Sequence, residues 1–188
     1  MAALYAFTWL FTVIICMARV CSMPTNCRLQ RRLMEESHNL VERMGERFPL
    51  HCLEGSVLVP FPDTAFQFNT SQQAVALEKT MYLTLTYIYS LFDEDGVPVQ
   101  WKNVDVFQNI IDRQIEENQC IMNKTPDSQD DFVRREKVLK EYFDKIATVL
   151  KEKNFDVCGW EFVRKEILIT IQFILNKDLE DVLFTSRG

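Results

Sequence analysis

Two histidines and six cysteines are the residues of this 188-residue chain best suited to chemistry. Glu35 and His38 form an E-x-x-H within a stretch of helical periodicity, the unit from which di-iron bundles are built. Such a centre needs two of these motifs and two further carboxylates. No second motif exists, so His38 reads as an ordinary helix-surface residue. Nucleophilic catalysis needs a base held beside a serine or cysteine, and no nucleophile-elbow pattern occurs. A zinc site lacks its usual paired Cys/His spacing. Five glycines in the whole chain leave no glycine-rich phosphate loop. A net charge of −6 argues against a nucleic-acid partner. No catalytic residue, metal or cofactor is expected.

The cysteines have another use. From Leu4 to Met17 the chain is almost wholly apolar (LYAFTWLFTVIICM), which suits a signal peptide and falls short of the roughly 20 residues of a membrane span. Val20 and Ser22 are small enough to precede cleavage at Met23. The expectation is a signal peptide over 1–22 and one secreted, extracellular domain over 23–188, with no membrane insertion. Cys16 and Cys21 then leave with the leader. Cys27, Cys52, Cys120 and Cys158 remain, and an oxidising compartment implies two disulfides in one of three connectivities. Asn69-Thr70-Ser71 and Asn123-Lys124-Thr125 are sequons for glycosylation, the second followed by Pro126.

Five amphipathic segments must position whatever this chain presents. The first spans about Cys27 to Arg47, with Leu29, Leu33, Leu40, Val41 and Met44 in helical register and Gly45 and Pro49 at its end. Phe48 to Asn69 is a long loop containing Pro49, Gly55, Pro60 and Pro62 and pinned by Cys52. A second helix opens with Thr70 or Ser71 as its cap and runs to about Phe92; its YLTLTYIY would suit a strand, but its length favours helix. Further helices cover roughly Trp101–Met122, Asp131–Lys153 and Gly159–Lys177. In the fourth, Glu136–Lys140 and Glu141–Lys145 mark a solvated face. The last is apolar on two sides, through Trp160, Val163, Ile167, Ile171 and Ile174 on one and Phe162, Ile169 and Phe173 on the other. A helix of that kind lies between neighbours. Its polar strip of Glu161, Arg164, Lys165 and Gln172, interrupted by Leu168, is expected to face water. The pattern favours an all-α bundle of five helices, up-up-down-down, with a long crossover loop after the first.

The segment Tyr142 to Ile167 reads YFDKIATVLKEKNFDVCGWEFVRKEI and resembles the type I interferon signature, Y-F-x-x-I-x-x-x-L-K-E-K followed by C-x-W-E-x-V-R-x-E-I. Cys52-Leu53, Phe61-Pro62 and Phe66 give a weaker match in the loop, and Cys27 and Trp101 also stand where that family places such residues. The four cysteines look most like one group of fish type I interferons. The resemblance implies a five-helix class II cytokine that brings together two receptor chains, with disulfides Cys27–Cys120 and Cys52–Cys158. It implies an antiviral signal through JAK-STAT and no enzymatic activity. In that family the high-affinity receptor chain meets the loop after the first helix and the exposed strip of the last. Carried across, this nominates Leu53, Ser56, Arg164, Lys165, Leu168, Ile169 and Gln172. Ser56 and Ile169 depart from the arginines common at those places in mammalian relatives, and Ile169 is divided between core and interface. The other receptor chain would meet the second, third and fourth helices. Another helical cytokine, of the interleukin-10 or type III interferon kind, and a carrier of a small apolar ligand are the alternatives.

Overall fold

The computed structural model describes residues 27–53, 57–68, 73–93, 96–126 and 128–175. The expected signal peptide, the cap at Thr70 or Ser71 and the sequon at Asn69 lie outside the described residues. Six α-helices occur among those described and no strand runs between them: α1 Arg31–Met44, α2 Asp63–Phe66, α3 Ala74–Leu91, α4 Val104–Asn118, α5 Gln129–Glu152 and α6 Val157–Ile174. Single 3₁₀ turns follow α1, at Leu50–Leu53, and α4, at Gln119–Asn123. The five long helices correspond to the five amphipathic segments. The one-turn α2 inside the loop was not expected, being too short to show a period.

The boundaries differ from the periodicity where polar residues act as caps. Helix α5 begins two residues before Asp131 because Ser128 accepts a hydrogen bond from the Asp131 amide. In α6, Asp156 accepts one from the Gly159 amide, and the helix starts at Val157. A cap side chain satisfies an amide the helix leaves unpaired, which fixes where the first turn forms. The β-branched run of α3 stays helical by the same kind of accounting. Thr80, Thr84 and Thr86 return their hydroxyls to the carbonyls of Ala76, Thr80 and Tyr82, four residues back.

Helix α1 packs on α6 and α4, α3 on α5 and α4, and α5 on α6 and α2. One continuous core results, with Leu77, Met81, Leu85 and Ile88 from α3 meeting Leu139, Ile146 and Leu150 from α5 and Trp160, Val163, Ile167 and Ile171 from α6. The second apolar side of α6 is roofed by the loop: Phe173 packs 4.9 Å from Phe61 and 5.4 Å from Phe66, centroid to centroid. Buried Arg135 fastens that roof, donating to the Ala65 carbonyl at 2.7 Å and to Asp131 at 2.8 Å. On the wet face of α5, Lys140 reaches forward to Asp144 at 2.6 Å.

Two disulfides staple the bundle, Cys27–Cys120 and Cys52–Cys158, with Cα–Cα distances of 6.0 and 5.2 Å. That is the pairing the resemblance implies. Each closes a loop of about 100 residues, worth up to about 4–5 kcal/mol by chain entropy. Beside the first, Lys124 donates to the Cys27 carbonyl at 3.0 Å and to Glu78 at 2.6 Å, which fixes the start of the described chain against α3.

Candidate functional site

The Cys52–Cys158 bridge holds the 3₁₀ turn Leu50–Leu53 against the first turn of α6. Between them an open cleft of about 400 Å³ is lined by Phe48, Leu53, Val57, Phe162 and the disulfide, with Lys153 and Lys165 at its sides. Its loop side is apolar yet remains wet, whereas Phe162 and Cys52 are buried. Leu53 is 55% exposed and Val57 40%. Farther along α6, Lys165, Ile169 and Gln172 are exposed and Leu168 is half-buried against the core. Ile169, at 39% exposed, belongs to this outward face rather than to the core. Leu53, Lys165, Leu168, Ile169 and Gln172 are therefore accessible on the loop and α6; Ser56 lies outside the described residues.

Arg164 is different, and the expectation that it faces water is overturned. Its side chain is buried, 7% exposed, as is that of Glu161 at 3%. The guanidinium pairs with Glu161 at 2.6 and 2.9 Å. It also donates to the Glu46 carbonyl at 3.0 Å and makes longer approaches to the carbonyls of Val41 and Glu42. Helix α1 ends there, and its last carbonyls have no helical partners of their own. Arg164 supplies them. Trp101 donates its indole N–H to the other oxygen of Glu161 at 3.3 Å. The ring of contacts closes at Gly45, where an added Cβ would lie 2.8 Å from Glu161 and 3.0 Å from Arg164. A helical wheel sees only that Arg164 is charged; the acceptors come from an element 118 or more residues away.

Glu166 is likewise turned inward. Tyr142 donates to it at 2.8 Å and lies 3.5 Å from the Thr170 hydroxyl. Burial pushes the phenol of Tyr142 well above its ordinary range. The buried polar residues of the signature segment thus tie α6 to α1, to Trp101 and to α5, while Lys165 faces out. Sequence reasoning missed Phe48, Val57, Lys153 and Phe162 as cleft residues. Phe162 carried a signal, being on the second apolar side of α6; the loop residues follow no period.

His51 has its ring nitrogen and the sulfurs of Cys52 and Cys158 within 4.8 Å of one another. Both sulfurs are in the disulfide, which leaves no thiolate to hold zinc. Asn123 is exposed at the end of its 3₁₀ turn. Among the described residues no helix is long and apolar enough to cross a membrane.

A helical bundle clamped by disulfides, with its polar groups spent on holding helices together and an apolar cleft left open, is the architecture of a helical cytokine. The chain belongs to the interferon alpha/beta family, whose domain model matches residues 27–179. It is similar to interferon a3 of Oncorhynchus mykiss, 29% identical over 163 residues that cover 79% of this chain and 84% of that one. Interferon alpha-7 of Homo sapiens is 24% identical over 164 residues, 83% of each chain. Among solved structures, zebrafish interferon 2 superposes with a TM-score of 0.75 at 38% identity, covering 79% of this chain and 98% of that one. Zebrafish interferon 1 shares the fold, with a TM-score of 0.56 at 23% identity over 76% of this chain and 89% of that one. The protein is a cytokine of the interferon type, a signalling protein and not an enzyme, and the family implies a class II cytokine receptor as its partner.

Proposed function

We propose that the mature protein, residues 23–188, is a secreted antiviral cytokine that bridges two class II cytokine receptor chains. JAK-STAT signalling and interferon-stimulated transcription follow from that bridging. The observation that carries this reading is the cleft: a wet apolar surface built jointly by a loop and a helix and fixed by a disulfide. Isolated exposed leucines are common, but a contiguous apolar face beside cations is what a partner covers. Leu53, Ser56, Lys165, Leu168, Ile169 and Gln172 form the high-affinity face, with Val57 and Phe162 supplying its floor. Arg164 serves that face from beneath, by holding α6 on α1. The second receptor chain meets α3, α4 and α5. Asn69 and Asn123 carry glycans.

The test is binding to receptor ectodomains together with induction of antiviral transcripts in receptor-bearing cells. Leu53→Asp and Ile169→Asp are each expected to weaken binding by about tenfold or more, as loss of an anchor at the centre of an interface does. Their thermal midpoints should stay at the wild-type value. Normal binding by both variants would overturn the assignment of the face.

A further inference from the structure

On the other side of Phe48 and Pro49 from the cleft lies a second, quite different groove. It runs between the end of α1 and the turn that leads into α4, with a volume of about 560 Å³. Arg43, Arg47 and Lys102 line it, with Gln100 between them. All three cations are exposed, and among the described residues none has an ion-pair partner. Of the acids at the groove, Glu161 is already satisfied by Arg164 and Trp101. Among the described lining residues Glu46 alone then opposes them, although Arg43 also borders Glu35 and Glu36 along α1. On a chain of net charge −6, this is a local reversal of sign.

We propose that this groove binds a polysulfated glycan chain of the heparan type. Three cations on flexible, exposed stems hold a single small anion poorly, since each attraction is screened by water and salt. A partner that carries many anions along one chain collects all three at once and releases its condensed counterions. An acidic protein segment would want a deep apolar anchor pocket; here Met44 is buried and Val157 is the one exposed large apolar side chain of the described lining. A single-stranded nucleic acid would want an aromatic face for its bases. Trp101, the groove's indole, is only 7% exposed and its N–H is committed to Glu161. Sulfated sugar needs neither. The groove shares an edge with the cleft through Pro49 and Val157, neighbours of Phe48 and Cys158, but contains none of the residues assigned above to the receptor face.

The probe is immobilised heparin at about 0.15 M salt, with the full mature chain carrying Arg43→Gln, Arg47→Gln and Lys102→Gln together. Affinity should fall about tenfold or more, and the dependence of log affinity on log salt should become shallower by roughly two to three. Glu46→Gln should bind more tightly than wild type. A control triple, Lys137→Gln, Lys140→Gln and Lys145→Gln on α5, changes net charge equally and should retain heparin binding. Leu53→Asp should also retain it, which separates this site from the receptor reading. Equal losses in the two triples, or unchanged binding in the groove triple, would overturn the proposal. So would a groove triple that keeps heparin but loses the receptor ectodomain, since the occupant would then be an acidic receptor segment.

Discussion

At the scale of single residues, the Arg164–Glu161 pair separates holding the fold from meeting a partner. Both side chains are buried, so removing one strands the other away from water. Arg164→Ala is expected to destabilise the protein by about 3 kcal/mol, the lower part of the range for breaking a buried pair. Its exposed neighbour tells the opposite story: Lys165→Ala should change stability by less than about 0.5 kcal/mol. Urea midpoints decide it, and equal stability of the two variants would mean that the guanidinium is solvated. Tyr142 gives a test in pH. Burial raises its pKa in the folded state above the ordinary 10.0. Its contribution is therefore complete below pH 10 and is lost as pH rises past 10 toward the folded value. Over that window the slope is about 1.4 kcal/mol per pH unit. Tyr142→Phe should flatten this alkaline fall in urea midpoint, whereas an unchanged slope would place the proton elsewhere. The apolar spacing of α5 already puts Tyr142 inside with Ile146 and Leu150, but the burial of Arg164 and Glu161 was not legible in the sequence, because the acceptors of Arg164 come from another element. The sequence shows that a side chain is charged and where it sits on a wheel; it does not show which carbonyls wait opposite.

At the scale of elements, what could be read was whatever repeats. All five long helices announce themselves by apolar residues three and four apart, and Leu77, Met81, Leu85 and Ile88 of α3 are buried as their spacing requires. Ends and short turns carry no period. Asp63–Phe66 is a single turn and was hidden in the loop, and α5 and α6 each start two residues before the apolar pattern does. Those starts are set by Ser128 and Asp156, polar residues that look like loop until their acceptor role is seen. The Asp156 cap matters most, because it positions the first turn of α6, where Cys158 ties down the loop. Asp156→Ala should cost about 1 kcal/mol by loss of the cap. Asp156→Asn, which keeps an acceptor, should restore most of it. Thermal unfolding measures both, and equal loss in the two variants would assign the effect to charge at the helix start rather than to the hydrogen bond.

Across the whole molecule, the two disulfides allow stability and recognition to be pulled apart. They span 93 and 106 residues of sequence, nearly the same length. Loop-closure entropy depends only logarithmically on that length, so each removes almost the same freedom from the unfolded chain, about 4.7 kcal/mol at most. Their places differ. Cys27–Cys120 ties the start of the described chain to the turn after α4, where Lys124 and Glu78 already hold it. Cys52–Cys158 forms a wall of the cleft itself. Replacing both cysteines of either bridge with serine should therefore lower the urea midpoint by a similar amount. Receptor binding, measured well below either unfolding transition, should divide them. The Cys27/Cys120 variant should bind as wild type does. The Cys52/Cys158 variant should lose about tenfold or more, because the Leu53 turn is freed and must be ordered again at each encounter. Equal binding losses in the two variants would mean that the bridges act through stability alone, and that the cleft needs no clamp.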